Sequence, residues 1–238
     1  KEDPPILVSI MWGNNEIGSL NDIEGIAQIC NRHGVFLHID ATQVVGKIPI
    51  NMNEHQGIRF LSCSAHKLHG PKGVGAAVIR KHPDGYKTKL TPLLHGGGQE
   101  NEYRSGTLAV HNIVGFGKAA EIAYENLEKN RIHLQELEEM CKKILEEKLG
   151  VDSIVYNNDW ENKIPGILSI QLKGINNELF IKKAAPYIAV STGSACSSGQ
   201  PSHVLQAIGL SMEEVRSTIR ISISSMIKKE ELGILREL

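Results

Sequence analysis

At 238 residues the chain is long enough for one large domain or two modest ones, and 41% hydrophobic content lets it bury a substantial core. Its 26 Lys and Arg nearly cancel its 27 Asp and Glu, which points away from nucleic acid and from a membrane surface as partners. No apolar run approaches the length of a membrane span and the opening KEDPP carries no secretory pattern. The cysteines, Cys30, Cys63, Cys141 and Cys196, are scattered without a C-x-x-C pair, so free thiols in a reducing cytoplasm are expected rather than a disulfide framework or a zinc knuckle.

In chain order, the first expected strand is 6–11, followed by the polar turn WGNNEIG, which places Asn15 at that strand's carboxyl end. Residues 21–32 form an amphipathic helix pattern with Ile23, Ile26, Ala27 and Cys30 on one face and Gly34 as the stop. Two short apolar runs, 35–39 and 58–61, are bounded by turn residues and read as buried parallel strands, so that strand, helix and strand make a βαβ unit. A further strand is expected at 73–79. The GPKGVG that leads into it lacks the Walker spacing and the Lys-Ser/Thr pair, which rejects a nucleotide loop.

The Gly-rich stretches LLHGGG and QENEYRSGT lead to a long helical region, 111–149, interrupted near 126–130. Ile113, Phe116, Ala120 and Tyr124, then Leu134, Leu137, Met140, Cys141 and Leu145, keep the helical period, and the charged remainder of the second half reads as a solvated face. Beyond it come strands at 154–156 and 166–172, a helix at 177–185 ended by Pro186, a short strand at 188–190, a short helix at 202–208 and a strand at 218–224. The expected class is α/β, with a partial large domain over 1–117 on a mainly parallel sheet and a smaller α+β domain over 118–238.

The two runs in the middle of the first domain end in chemistry. One closes on Asp40, with Gln43 three residues further; the other closes on Ser64, His66 and Lys67. At the carboxyl ends of neighbouring parallel strands these side chains reach one crevice. A lysine and an acid brought together there meet the demands of pyridoxal phosphate (PLP), whose aldehyde bonds a lysine and whose pyridinium nitrogen is kept protonated by a carboxylate. Each residue also has a plainer reading: Asp after a strand is commonly a helix N-cap, and Lys in a polar turn is commonly solvated. Cys63, His66 and His69 have metal-like spacing, but they divide between a strand and the turn after it with no fourth ligand, so no metal is expected. Cys196 sits among small turn-forming residues in STGSACSSGQ, which suits an accessible thiol, although most free cysteines are inert. Arg220 alternates with Ile219 and Ile221, and its planar fork suits a carboxylate or simply faces solvent.

HIDATQVVGKIPI, SCSAHKLHGPKGVGA, HGGGQE followed by RSGT, and TGSAC followed by PSHVLQAIGL together resemble the cysteine desulfurases, fold-type-I PLP enzymes of the class-V aminotransferase family. The resemblance covers nearly the whole chain and implies a PLP-dependent transferase fold with the cysteine loop in the smaller domain. It implies pyridoxal 5'-phosphate on Lys67, with Asp40 at the ring nitrogen, Gln43 at the phenolic oxygen, and Asn15, Ser64 and His66 as further contacts. Thr107 would reach the phosphate of the neighbouring subunit, which makes a homodimer an expectation. Asn15 and Arg220 would grip the α-carboxylate of L-cysteine, Lys67 would take the α-proton, and His66 would aid proton transfer near the sulfur. Cys196 would accept that sulfur as a persulfide, leaving alanine, and pass it to an iron–sulfur scaffold or a sulfur-carrier protein. Members of the family carry an N-terminal segment ahead of the first strand seen here, so the chain is expected to be a C-terminal portion of such an enzyme. Three other readings stay open: a catalytically silent module that keeps dimer and scaffold surfaces, a selenocysteine or other carbon–sulfur lyase of the same fold, and a cysteine hydrolase using Cys196 and His203.

Overall fold

The computed structural model describes residues 5–82, 84–193 and 200–238. The chain divides into two compact units, Lys1–Trp12 with Asn21–Asn126, and Gly13–Leu20 with Leu127–Leu238.

The first unit is built on a sheet in the order β1 (Leu7–Met11), β2 (Phe36–Asp40), β3 (Phe60–Ser64), β4 (Gly75–Ile79). β1–β2 and β2–β3 are parallel and β3–β4 is antiparallel, so the sheet is mixed and mainly parallel. β4 runs backwards because the turn from Ala65 to Val74 is too short for the crossover that a parallel strand needs. The expected strand at 58–61 starts later and runs on to Ser64: Ile58 is fully buried but precedes the ladder, and the pairing with β4 extends to Ser64 opposite Gly75.

α1 (Ile23–Arg32) joins β1 to β2. Its N-terminus is capped by Asp22, whose carboxylate accepts from the Gly25 amide at 2.9 Å. It buries Ile23, Ala27 and Cys30, and Leu37 and Ile39 of β2 are buried completely. Strand alternation sends Phe36, His38 and Asp40 to the opposite, open face. Across that face Ser9 Oγ and Ser62 Oγ lie 2.7 and 3.0 Å from the two ring nitrogens of His38, a polar rung tying β1, β2 and β3 together. The second half of the unit is α2 (Val110–Glu125), seated on the turn after β3; a Cβ at Gly70 would lie 3.2 Å from Ala119 Cβ, and one at Gly46 would lie 3.1 Å from Ala123 Cβ. None of its residues is buried, and Val110, Ile113, Val114, Ile122 and Tyr124 stay exposed.

α2 ends at Asn126, whose side-chain amide donates to the Ile122 carbonyl at 2.9 Å, and α3 (Leu127–Leu149) follows at once. The units divide at this break, and α2 stays with the first sheet along its length. In the second unit α3 covers an antiparallel sheet ordered β5 (Ile154–Tyr156), β6 (Ile167–Leu172), β7 (Thr218–Ser222). Leu134, Leu137, Cys141, Ile144 and Leu145 pack on Leu168, Ile170, Leu172 and Ile219. α3 is solvated as expected along Glu128, Arg131, Glu139 and Lys142, which pair at i,i+3. Glu138 is the departure, since its carboxylate and the Lys163 ammonium meet at 2.5 Å with both side chains 6% exposed.

The unit also holds α4 (Asn177–Ala184), α5 (His203–Ala207) and α6 (Met212–Arg216). α6 was not anticipated, although Ser211 and Glu214 form a capping box at its start. Among the described residues the expected strand at 188–190 does not form; Ile188 and Val190 pack against the core, and a single antiparallel bridge joins Ser191 to Arg220. The chain closes with a 3-10 helix, Lys229–Glu237. No described helix is long and apolar enough to cross a membrane.

Candidate active site

At the carboxyl edge of the first sheet, Asp40 ends β2. Its Oδ1 accepts from the Thr42 amide at 2.9 Å, and the next amide, Ala41, donates to the Ser62 carbonyl of β3. The strand therefore stops in a turn that holds the carboxylate on the open face. Gln43 lies in that turn, half-buried, and its Oε1 accepts from Lys47 Nζ at 3.2 Å. Because an ammonium can only donate, this contact fixes Nε2 as the end of the amide available to donate.

β3 ends one strand away at Ser64, whose hydroxyl is 2.7 Å from His66 Nδ1. Ala65–Leu68 is a 3-10 turn that buries Ala65 and Leu68 and leaves His66 and Lys67 exposed. It closes through His69 in the left-handed region (φ 65°) and Gly70, where a Cβ would come 3.0 Å from the Ala65 carbonyl. Lys67 has no hydrogen bond or ion pair with the described residues. Thr107 is exposed and lies just after a glycine loop pinned from within: Ser105 Oγ donates to the Gly97 carbonyl at 2.6 Å, and Gln99 Oε1 accepts from the Gly106 amide at 3.0 Å.

The first unit thus brings Asp40, Gln43, Ser64, His66 and Lys67 to adjacent strand ends. An uncommitted amine, a carboxylate, an amide donor, a hydroxyl and an imidazole fit what PLP demands of its site.

The other expected residues belong to the second unit. Residues 13–20 form a tight loop in which Asn14 Oδ1 accepts from the amides of Glu16 (2.8 Å) and Ile17 (3.1 Å). Arg220 on β7 donates from Nη1 to the Asn15 backbone carbonyl at 2.8 Å, which places the two residues side by side. Arg220 Nε is buried with no partner among the described residues. Burial pushes the guanidinium below its usual range while the charge of Glu16 acts the other way. An orphaned guanidinium N–H is a place where an anion is wanted.

Glu16 was missed by the sequence reading. It is 2% exposed, and Ser202 Oγ donates to its Oε2 at 2.5 Å. An acid in a polar turn normally reads as solvated, and the only sequence signal was its adjacency to Asn15. Cys196 lies outside the described residues.

Each of the described cysteines is a free thiol. Burial pushes Cys141 up to about 12, with Glu138 adding to it, and burial also raises Cys63, with the charge of Asp40 contributing. Cys30 lies on the buried face of α1. Among the described residues no three His, Cys, Asp or Glu side chains are grouped to hold a metal ion, the set Cys63, His66 and His69 included.

The class-V aminotransferase model matches residues 2–235, and the chain belongs to that family. It is similar to the cysteine desulfurase IscS of Neisseria meningitidis serogroup A, at 41% identity over 238 residues, covering 99% of this chain and 57% of the relative. Among solved structures, a NifS-like protein superposes with a TM-score of 0.85 at 35% identity, covering 97% of this chain and 59% of that one. A structure described as SspA in complex with cysteine superposes at 0.73 with 35% identity, covering 92% and 59%. The chain therefore spans little more than half the length of the relatives it matches, and its α/β architecture with a mixed, mainly parallel sheet is that of the NifS-like structures.

Proposed function

We infer that the chain is the portion of a PLP-dependent cysteine desulfurase that carries the cofactor lysine and the sulfur-accepting cysteine. The observation that carries this reading is the placement of Asp40 and of Lys67, exposed and without a partner among the described residues, at the carboxyl ends of adjacent parallel strands. The similarity to IscS and to the cysteine-bound SspA structure supports the substrate.

When bound, pyridoxal phosphate supplies an electron sink for the charge left at an amino acid's α-carbon. Lys67 would hold it through the ε-amine and, once displaced, act as base for the α-proton. Asp40, braced by the Thr42 amide, would keep a proton on the ring nitrogen, and Gln43 would donate from Nε2 to the phenolic oxygen. Ser64 and His66 would contact the cofactor, and His66 would hand a proton on near the substrate sulfur. Arg220 and Asn15 would hold the α-carboxylate. Cys196 would attack the sulfur as its thiolate: a sulfur–sulfur bond forms, the carbon–sulfur bond breaks, and the products are alanine and the Cys196 persulfide. The described thiols are poorly suited to that role, since Cys30 and Cys141 are buried and Cys63 and Cys141 titrate high. The same reading makes the protein a homodimer with Thr107 at the partner's phosphate, a cytoplasmic enzyme, and a donor of sulfur to an iron–sulfur scaffold or a sulfur carrier.

The test is to load the protein with PLP, reduce it with borohydride and locate the modified lysine by peptide mass. Modification at Lys67, its loss in Lys67→Ala, and alanine formation from L-cysteine with a persulfide on Cys196 are expected. Cys196→Ser should keep PLP and lose the persulfide; sulfur transfer at the normal rate in that variant would sink the assignment.

A further inference from the structure

Asn158 has no role in the mechanism above, and it stands in a run, NNDWEN, whose polar residues suit a surface turn. The fold buries it instead, at 9% exposure. A carboxamide is tolerated in such a place when its two N–H groups and its oxygen are hydrogen-bonded, and the partners show what the residue joins. Oδ1 accepts from the Ser169 amide at 3.0 Å. Nδ2 donates to the Ile167 carbonyl at 3.0 Å and to the Ile17 carbonyl at 2.7 Å.

Two of these bonds lie along one edge of β6. β5 ends at Tyr156, and the Asn157 amide still donates to the Ser169 carbonyl at 2.9 Å. Beyond that point the Asn158 side chain, rather than a further strand residue, bonds the edge of β6. Ser169 lies directly opposite Arg220 in the pairing of β6 with β7. The third bond leaves the sheet for the loop 13–20. Asn15 lies two positions before Ile17 in that loop, and its carbonyl takes Nη1 of Arg220 at 2.8 Å. The link between them is stiff, because Asn14 Oδ1 accepts from the amides of both Glu16 and Ile17. The loop is also held by the Ile164 amide, which donates to the Gly18 carbonyl at 2.8 Å, and by Ser202 through Glu16. Asn158 alone among these anchors ties the loop to the strand residue that faces Arg220, and so closes a circuit from Arg220 through Asn15, Ile17 and Ser169 back to Arg220.

We propose that Asn158 is a positioning residue for Arg220. By holding the Ile17 carbonyl it fixes the loop whose Asn15 carbonyl engages Nη1, and so sets which edge of the guanidinium, Nε with Nη2, is left for a substrate carboxylate. The carboxylate part rests on the desulfurase reading; the hold on Arg220 does not.

The experiment compares Asn158→Ala and Asn158→Asp with Leu137→Ala. Aspartate fills the same volume and keeps the acceptor for Ser169, but once ionised it cannot donate to Ile17. Leu137 is fully buried in the core between α3 and the sheet, so truncating it lowers stability by another route. The first readout is hydrogen exchange at Arg220 Nε, which is buried without a partner among the described residues. It is followed by nitrogen-15 NMR, with the signal assigned by its loss in Arg220→Lys, and it needs neither PLP nor substrate. Exchange should quicken at least roughly tenfold in both Asn158 variants, the factor that one lost buried hydrogen bond brings, and stay within about twofold in Leu137→Ala. If Asn158→Ala does not fold, Asn158→Asp decides. Unchanged exchange in either folded Asn158 variant would overturn the proposal. So would an equal acceleration in Leu137→Ala, because general loss of stability would then be the cause. The second readout is turnover in the PLP-loaded protein. Half-saturation by L-cysteine should rise roughly tenfold in Asn158→Asp with kcat within about threefold, and cysteamine, which has no carboxylate, should be turned over as before. Added to Arg220→Lys, the substitution should raise half-saturation by no more than about twofold, since residues that act as one unit are not additive. An equal penalty on cysteamine, or full additivity with Arg220→Lys, would also overturn the proposal. If the unmodified protein turns over no cysteine, the desulfurase reading fails while the exchange comparison still decides whether Asn158 positions Arg220.

Discussion

The proposed grip of Arg220 on a substrate carboxylate is tested most directly by Arg220→Lys. Arg220 spends Nη1 on the Asn15 carbonyl at 2.8 Å and keeps Nε buried without a partner. Nε and Nη2 form the other edge of the guanidinium, the geometry that meets both oxygens of a carboxylate. Lysine keeps the charge but offers one nitrogen, which must serve the Asn15 carbonyl and the substrate together, so one charge-assisted hydrogen bond is lost. Such a bond contributes about 1.5–3 kcal/mol, which is roughly a 10- to 150-fold weaker hold on L-cysteine. The contact is made equally before and during reaction, so the loss should fall on KM, with kcat within about threefold of the unmodified enzyme. Cysteamine, which has the amine and thiol of cysteine but no carboxylate, is the control: the two enzymes should turn it over equally, and the preference for cysteine over cysteamine should collapse in the variant. A half-saturation for L-cysteine within about twofold of the original, or an equal penalty on cysteamine, would refute the assignment of this edge to the carboxylate.

Two further outcomes follow from buried ionisable groups in the second unit. Lys163→Met leaves Glu138 buried without its 2.5 Å partner, which should cost about 3–5 kcal/mol and lower the melting temperature by roughly 6–20 °C; a circular-dichroism melt within about 2 °C of the original would show the pair to be dispensable. Cys141 is held protonated up to about 12, against 9.0 for a free thiol, so between those values the unfolded chain loses a proton that the folded chain keeps. Stability should therefore decline as pH rises from 9 towards 12, and urea unfolding at pH 8 and pH 10 should show a smaller decline in Cys141→Ala, by up to about 1.4 kcal/mol per pH unit. An identical decline in the two proteins would contradict this.

Local signals carried most of the architecture. α1 announces itself through Asp22 at its cap and Ile23, Ala27 and Cys30 at helical spacing, and β2 through a run that ends on a polar residue. Pairing decided where local signals failed. Ile188 and Val190 have strand-forming side chains, yet no neighbour among the described residues offers a ladder beyond the Ser191 bridge. β3 gains its last residues only because β4 turns back alongside it. α6 is too short for its period to show, and its capping box was passed over.

The candidate site divides along the same line. Asp40, Gln43, Ser64, His66 and Lys67 were legible because the chemistry lies within two consecutive strand ends, where sequence order and spatial order coincide. The contact from Arg220 to Asn15 spans 205 positions and that from Ser202 to Glu16 spans 186, and nothing local encodes either. Resemblance supplied Asn15 and Arg220, whereas Glu16 became visible only as a charge with nowhere to be solvated. The two groups also differ in what they await. Lys67 is exposed and has no partner among the described residues, as suits the proposed bond to a cofactor. Arg220, Glu16 and Ser202 are already bonded, so their mutual geometry is set by the folded chain itself.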